Sequence, residues 1–192
     1  MTSLHCRPLA IADLPAVLKL DQACFGGLWS HEGYQRELDS PNSDLLILET
    51  LGTGALEQSP TLIGVGCLWA ILDEAHITLL GIAPSQRRRG LGQWLLLKLL
   101  HCACDRGLTH ATLEVRQSNQ KAQALYNKLG FQIAGERRKY YVDGENALIL
   151  WRNGLQDAVF RQALQTWTDE WQHKLSQQGW QTAASLFLPQ LN

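Results

Sequence analysis

Several absences bound this sequence before any motif is weighed. Its five cysteines (Cys6, Cys24, Cys67, Cys102, Cys104) are odd in number and form no C-x-x-C pair, which argues against a disulfide framework or a zinc site and points to reduced thiols. No run of eighteen apolar residues and no charged-then-apolar N-terminal segment is present, so no membrane span is expected and the expected location is the cytoplasm. A surplus of one charge is also lacking: the formal net charge is -1, and nothing here demands a nucleic acid. The usual nucleotide motifs are missing as well. No Lys-Ser/Thr follows a glycine-rich loop, and there is no G-x-G-x-x-G, which removes the P-loop and dinucleotide-fold readings.

What is there is a chain of 192 residues, 45% hydrophobic, which fits one domain with a good core and an appendage. The stretch that organises it is Ile77 to Leu100, ITLLGIAPSQRRRGLGQWLLLKLL. An apolar strand-like run is stopped at Pro84, three arginines follow, and Gly90-Leu91-Gly92 leads into a segment too long and apolar for a strand. The glycines free the backbone to turn into a helix with successive N–H groups pointing outward. A helix N-terminus beside arginines forms a cradle for a phosphate or diphosphate.

The rest reads around that centre. Residues 3–8 alternate as a strand, Asp13-Leu14-Pro15 reads as the cap and first turn of a helix, and Ser30 caps a short helix ending before Pro41. Residues 44–50, 61–71 and 74–82 form an antiparallel meander with a glycine-rich loop at 51–60. The helix from Gly90 to about Arg106 is apolar nearly all round and is expected to be buried against a sheet. Strand 110–115 and helix 119–129, closed by Gly130, come next. Asp143-Gly144 marks a hairpin turn between two last strands, ending at 147–151. A meander followed by strand–helix alternation predicts an α+β fold, a mixed and mostly antiparallel sheet with one parallel pair, flanked by helices.

Arg87-Arg88-Arg89-Gly90-Leu91-Gly92 resembles the Q/R-x-x-G-x-G/A loop of the GCN5-related N-acetyltransferases (GNAT family). Leu113-Glu114-Val115-Arg116, Ser118-Asn119, and Ala124-Leu125-Tyr126 before Leu129-Gly130-Phe131 resemble that family's later motifs in the same order. Asp73-Glu74-Ala75 and Arg137-Arg138-Lys139-Tyr140-Tyr141 are similar to the ribosomal-protein-alanine N-acetyltransferases (RimI type). The resemblance covers about residues 3–152. It divides the chain into an acetyltransferase domain, 1–152, and a helical C-terminal extension, 153–192.

The resemblance implies acetyl-CoA as cosubstrate, no metal, and a protein N-terminus as acceptor, the N-terminal alanine of small-subunit ribosomal protein S18. With so little net charge, such a partner would be met as a protein tail. Arg88, Arg89, Gly90, Leu91, Gly92 and Gln93 would hold the diphosphate. Leu80, Gly81 and Ile82 would offer backbone groups to the pantetheine arm, where a bulge splays two strands and matches a glycine at 81. Asn119 would contact the coenzyme, though it is also a natural helix cap.

Glu114, a carboxylate in an otherwise apolar strand, would be the general base, or it pairs with Arg116. Tyr126 would be the acid facing the sulfur, or it packs beside Gly130-Phe131. Trp29, Tyr140 and Tyr141 would line the acceptor pocket, or they serve as ordinary packing. Cys102 and Cys104 fall on the apolar helix and read as core. A small-amine or polyamine acetyltransferase, which would need an acidic pocket, and a non-catalytic acetyl-CoA-binding regulatory module are the alternatives.

After Gly154 the pattern changes to Phe160, Leu164, Trp167, Trp171 and Leu175, an amphipathic helix. With Trp180 and the apolar end Leu186-Phe187-Leu188 it carries too much hydrophobic surface to leave in water. It either packs back over the domain or meets a partner or a second copy in a dimer.

Overall fold

The computed structural model describes residues 2–51 and 60–182. Most of the glycine-rich loop expected at 51–60, and the apolar end Leu186-Phe187-Leu188, lie outside the described residues. In chain order the elements are β1 (Thr2–Pro8), α1 (Leu14–Phe25), α2 (His31–Asp39), β2 (Ser43–Leu51), β3 (Thr61–Ile71), β4 (Glu74–Ile82), α3 (Leu91–Asp105), β5 (His110–Arg116), α4 (Gln120–Lys128), β6 (Gln132–Arg137), β7 (Ala147–Asn153), α5 (Ala158–Gln177) and β8 (Trp180–Thr182). The strands form one sheet in the order β6-β7-β5-β4-β3-β2-β1-β8. The α+β reading with a mixed, mostly antiparallel sheet holds, with one correction. Among the described residues two pairs are parallel, β4 with β5 and β1 with β8, because the extension carries a short strand that the amphipathic pattern of α5 does not announce.

Local signals set most element ends. Ser30 caps α2 by accepting from the Gly33 N–H at 3.2 Å, and Gly130 follows α4 with φ +82, the left-handed turn that ends a helix. Asp13 is different. It precedes α1 without a side-chain cap bond, because its carboxylate is taken by Arg7 at 2.6 and 2.9 Å and by the Ala10 N–H at 2.8 Å.

Helix α3 explains the layering. Leu91, Trp94, Leu95, Leu96, Leu97, Leu99 and Leu100 are all buried, more than one helix face can hold, so it needs cover on two sides. The sheet gives one. Helix α5 gives the other, with Phe160, Leu164 and Leu175 in the same apolar cluster and Trp167 and Trp171 packed against it. Polar contacts between these helices include Arg161 Nη2 donating to Cys104 O at 3.0 Å and His101 Nε2 with Thr168 Oγ1 at 2.9 Å, and burial pushes His101 down to about 4, so the ring is neutral at neutral pH. The tail helix therefore packs back over the domain.

On the opposite sheet face, α1 and α2 cover Leu45, Ile47, Val65, Cys67 and Leu79. Their connection is pinned by Asp21, whose Oδ1 accepts from the Leu28 N–H at 2.6 Å and whose Oδ2 accepts from the Tyr34 hydroxyl at 2.8 Å. Both residues are buried, Asp21 at 1% exposure and Tyr34 at 0%. Tyr34→Phe strands a buried carboxylate oxygen, and the expected loss is about 1–3 kcal/mol, read as a lower urea midpoint at unchanged m-value.

Candidate active site

The site begins where two strands part. β4 and β5 pair from Glu74↔His110 to Ile77↔Leu113 and no further, although β4 runs to Ile82 and β5 to Arg116. The cause lies on the other edge of β4. Its register with β3 shifts between Leu79↔Cys67 and Ile77↔Leu68, leaving Thr78 as an extra residue. A bulge of this kind bends and twists the strand that carries it. It sits at Thr78, whereas Gly81 continues in register opposite Val65. Gly81 is needed for space instead, since a Cβ there would lie 2.8 Å from Phe25 Cε2. The backbone of Leu80, Gly81 and Ile82 thus borders the slot where β4 and β5 part, with no strand partner on its β5 side.

From this strand the chain enters the arginine loop. Arg88 and Gly90 both take left-handed conformations, φ +65 and +79, and Gly90 is the N-cap of α3. The Trp94 N–H closes the first turn on Gly90 O at 3.1 Å. The amides of Leu91, Gly92 and Gln93 precede that bond and have no acceptor within the helix. Leu91 is buried in the apolar cluster, so its side chain takes no part in the cradle. Arg87 Nε donates to Ile82 O at 3.0 Å, and Arg89 donates to Gln86 Oε1 at 2.6 Å while its guanidinium lies 4.4 Å from the Trp180 ring centroid. Arg88 is exposed. Free amides at a helix entrance with an arginine at the rim fit a diphosphate. Asn119 caps α4, its Oδ1 accepting from the Ala122 N–H at 3.2 Å.

Glu114 stands on β5, where Ala111, Leu113 and Val115 face the α3 side. Alternation turns Thr112, Glu114 and Arg116 to the opposite face. Its side chain is 9% exposed, with Oε1 3.1 Å from Arg137 Nη2 and Oε2 3.4 Å from His76 Nε2. The expected alternative partner, Arg116, is engaged elsewhere, 2.7 Å from both Asp143 and Glu145. Thr112 Oγ1 donates its single proton to Glu74 Oε1 and lies 2.7 Å from His76 Nδ1. The hydroxyl can only accept from the ring, so Nδ1 of His76 is the protonated nitrogen. Nε2 then faces Glu114 Oε2.

His76 and Thr112 are neighbours of this carboxylate that motif reading missed, and Arg137 lay in a quoted motif without a role. The faint signal for the first two is a polar residue at alternate positions of strands flanking Glu114, and it has meaning only once the His76↔Thr112 register is known.

Tyr126 is buried on α4, edge-on to Phe131 with ring centroids 5.9 Å apart. Burial pushes its phenol well above the ordinary range, so it stays protonated. Tyr141 lies half-buried with the Arg116 guanidinium 3.9 Å from its ring centroid, and burial raises its phenol while Arg116 opposes the shift. Tyr140 packs edge-on to Tyr141 at 5.2 Å. Arg137, the partner of Glu114, lies 5.6 Å from the Tyr140 ring. The structure therefore brings Tyr140 and Tyr141 to the carboxylate's side of the slot. Trp29 packs edge-on to Tyr34 at 5.2 Å. All five cysteines are free, and burial pushes Cys102 up to about 12, which removes its thiolate character at neutral pH. Among the described residues no helix is long and apolar enough to cross a membrane.

A mixed sheet that parts beside a glycine-lined helix entrance defines an acetyltransferase scaffold, and the sequence agrees: the profile of the acetyltransferase (GNAT) family matches residues 14–131. This chain belongs to that family. It is 32% identical over 152 residues to a putative ribosomal protein bS18-alanine N-acetyltransferase of Bacillus subtilis, covering 78% of this chain and 95% of the relative. Against the ribosomal protein bS18-alanine N-acetyltransferase of Escherichia coli K12 the identity is 33% over 145 residues, 74% of this chain and 92% of the relative. The crystal structure of the Escherichia coli ribosomal-protein-S18-alanine N-acetyltransferase superposes with a TM-score of 0.66 at 31% identity, over 80% of this chain and 94% of that one.

The hydrogen-bond chain through Thr112 fixes one measurable quantity. Long-range proton–nitrogen NMR of the imidazoles is expected to show His76 protonated at Nδ1 at neutral pH. A ring protonated at Nε2 alone contradicts the network.

Proposed function

We propose that this chain transfers an acetyl group from acetyl-CoA to the α-amine of a protein N-terminus, and that its acceptor is the N-terminal alanine of ribosomal protein S18. It is an acetyl-CoA-dependent protein N-α-acetyltransferase. The observation that carries the reading is Glu114, a nearly buried carboxylate on one border of the slot, across from the strand that leads into the diphosphate cradle. The names of the relatives supply the acceptor.

The chemistry follows from these groups. The amine nitrogen forms a bond to the thioester carbon, the carbon–sulfur bond breaks, the amine proton goes to Glu114, and the departing thiolate is met by the Tyr126 hydroxyl. A phenol near pKa 10 giving its proton to a thiolate near 8.5 is already uphill by about 2 kcal/mol. Burial raises Tyr126 further, so its help is a hydrogen bond that tightens as the sulfur gains charge. An N-terminal amine is neutral in about one molecule in ten at pH 7 and a lysine amine in fewer than about one in a thousand. That difference, about 3–4 kcal/mol, favours an α-amine where one carboxylate is the base. The polyamine alternative asks for an acidic pocket. Arg137 on the carboxylate speaks against it.

Peptides beginning Ala-Arg, incubated with acetyl-CoA and weighed, are expected to gain one acetyl group on the α-amine. Reaction with polyamines alone, or coenzyme binding without turnover, refutes the reading. Glu114→Gln is expected to lower kcat at neutral pH by about 100-fold or more with coenzyme affinity unchanged, and an unaltered rate removes Glu114 from the mechanism.

A further inference from the structure

The relatives named above are matched over nine-tenths or more of their own length, yet about a quarter of this chain lies outside the match. Helix α5 and strand β8 carry two tryptophans directly to the arginine loop. Gly90 has no room for a side chain: a Cβ there would lie 2.8 Å from Cη2 of Trp171 and 3.2 Å from its Cε3. The indole therefore rests on the backbone of the residue that caps α3. One residue earlier, Arg89 lays its guanidinium on the buried ring of Trp180, 4.4 Å from the centroid, while bonding Gln86.

The loop needs such support. Arg88, a residue with a full side chain, holds a left-handed conformation with φ +65, which costs about 1–3 kcal/mol and persists only where the surroundings impose it. Among the described residues, the contacts beside it include Arg87 to Ile82 O, Arg89 to Gln86, Arg89 on Trp180, and Trp171 on Gly90. The last two come from the C-terminal extension.

We infer that the extension is a working part of the coenzyme site, with Trp171 and Trp180 as positioning residues that hold the diphosphate loop in its binding conformation before the ligand arrives. The inference rests on the loop at 88–93 being where the diphosphate binds. A loop held ready loses less freedom on binding, so the contacts should act on coenzyme affinity and leave the chemical step alone.

The test compares Trp171→Ala and Trp171→Leu with Trp167→Ala. Trp167 is on the same helix, but its ring packs edge-on to Phe160 at 6.2 Å. Trp171→Leu keeps apolar bulk on α5 while withdrawing from Gly90, which guards against a variant that fails to fold. Both Trp171 variants should raise the KM for acetyl-CoA and the Kd for coenzyme A about 5- to 20-fold, with kcat and the peptide KM within about twofold of the parent. Trp171→Phe should restore most of the affinity, and Trp167→Ala should leave it unchanged. Parent-like affinity in Trp171→Leu, or an equal loss in Trp167→Ala, overturns the inference. If Gly90→Val also binds coenzyme like the parent, the diphosphate does not sit at this loop and the underlying reading fails with it.

Discussion

The structure depends on a ladder that stops. Four residue pairs join β4 to β5, and after Ile77↔Leu113 the two strands continue without each other. Thr78, inserted against β3, is the physical origin. It also reverses the alternation of β4: Ala75 and Ile77 point to the α3 side before it, and Leu79 points to the α1 side after it. The paired part carries the polar chain from Glu74 through Thr112 and His76 to Glu114. The unpaired part offers free backbone edges and leads into two helices, α3 and α4. One extra residue thus separates a paired, polar stretch of β4 from a stretch with no partner on its β5 side.

Helix α3 links the two halves of the account. It is too apolar to be half-covered, so α5 completes its burial. Because α3 also begins at Gly90, the element that stabilises its flank reaches its entrance. Core packing and the entrance of α3 share the same tryptophan-bearing helix, so residues 158–182 are joined to the rest of the described structure by their side chains as well as by the chain.

What could be read in advance was what depends on near neighbours. Ser30, Asn119 and Gly130 act through residues three or four positions away, and each does what its sequence context implies. The apolar girth of α3 was equally plain, as was its need for cover. The misreadings depend on register or on distant partners. Asp13 looked like a cap until Arg7 took its carboxylate. Glu114 faces Arg137 and His76, not the arginine two residues away. The Thr78 bulge has no glycine to mark it, and Gly81 drew attention for a conformational reason when its role is to make room for Phe25. No periodicity foretold that three residues after α5 would form a strand.

That strand changes the exposure of the sheet to its surroundings. Trp180, Gln181 and Thr182 lie alongside Thr2, Ser3 and Leu4, so β1 is an interior strand over that half of its length, its main-chain groups already occupied. A long unpaired border with free amides and carbonyls is a template for pairing with another molecule. Here β8 covers three residues of that border among the described residues. The same stretch whose tryptophans reach the arginine loop therefore also covers one rim of the sheet, and a covered rim is less open to strand pairing with another molecule.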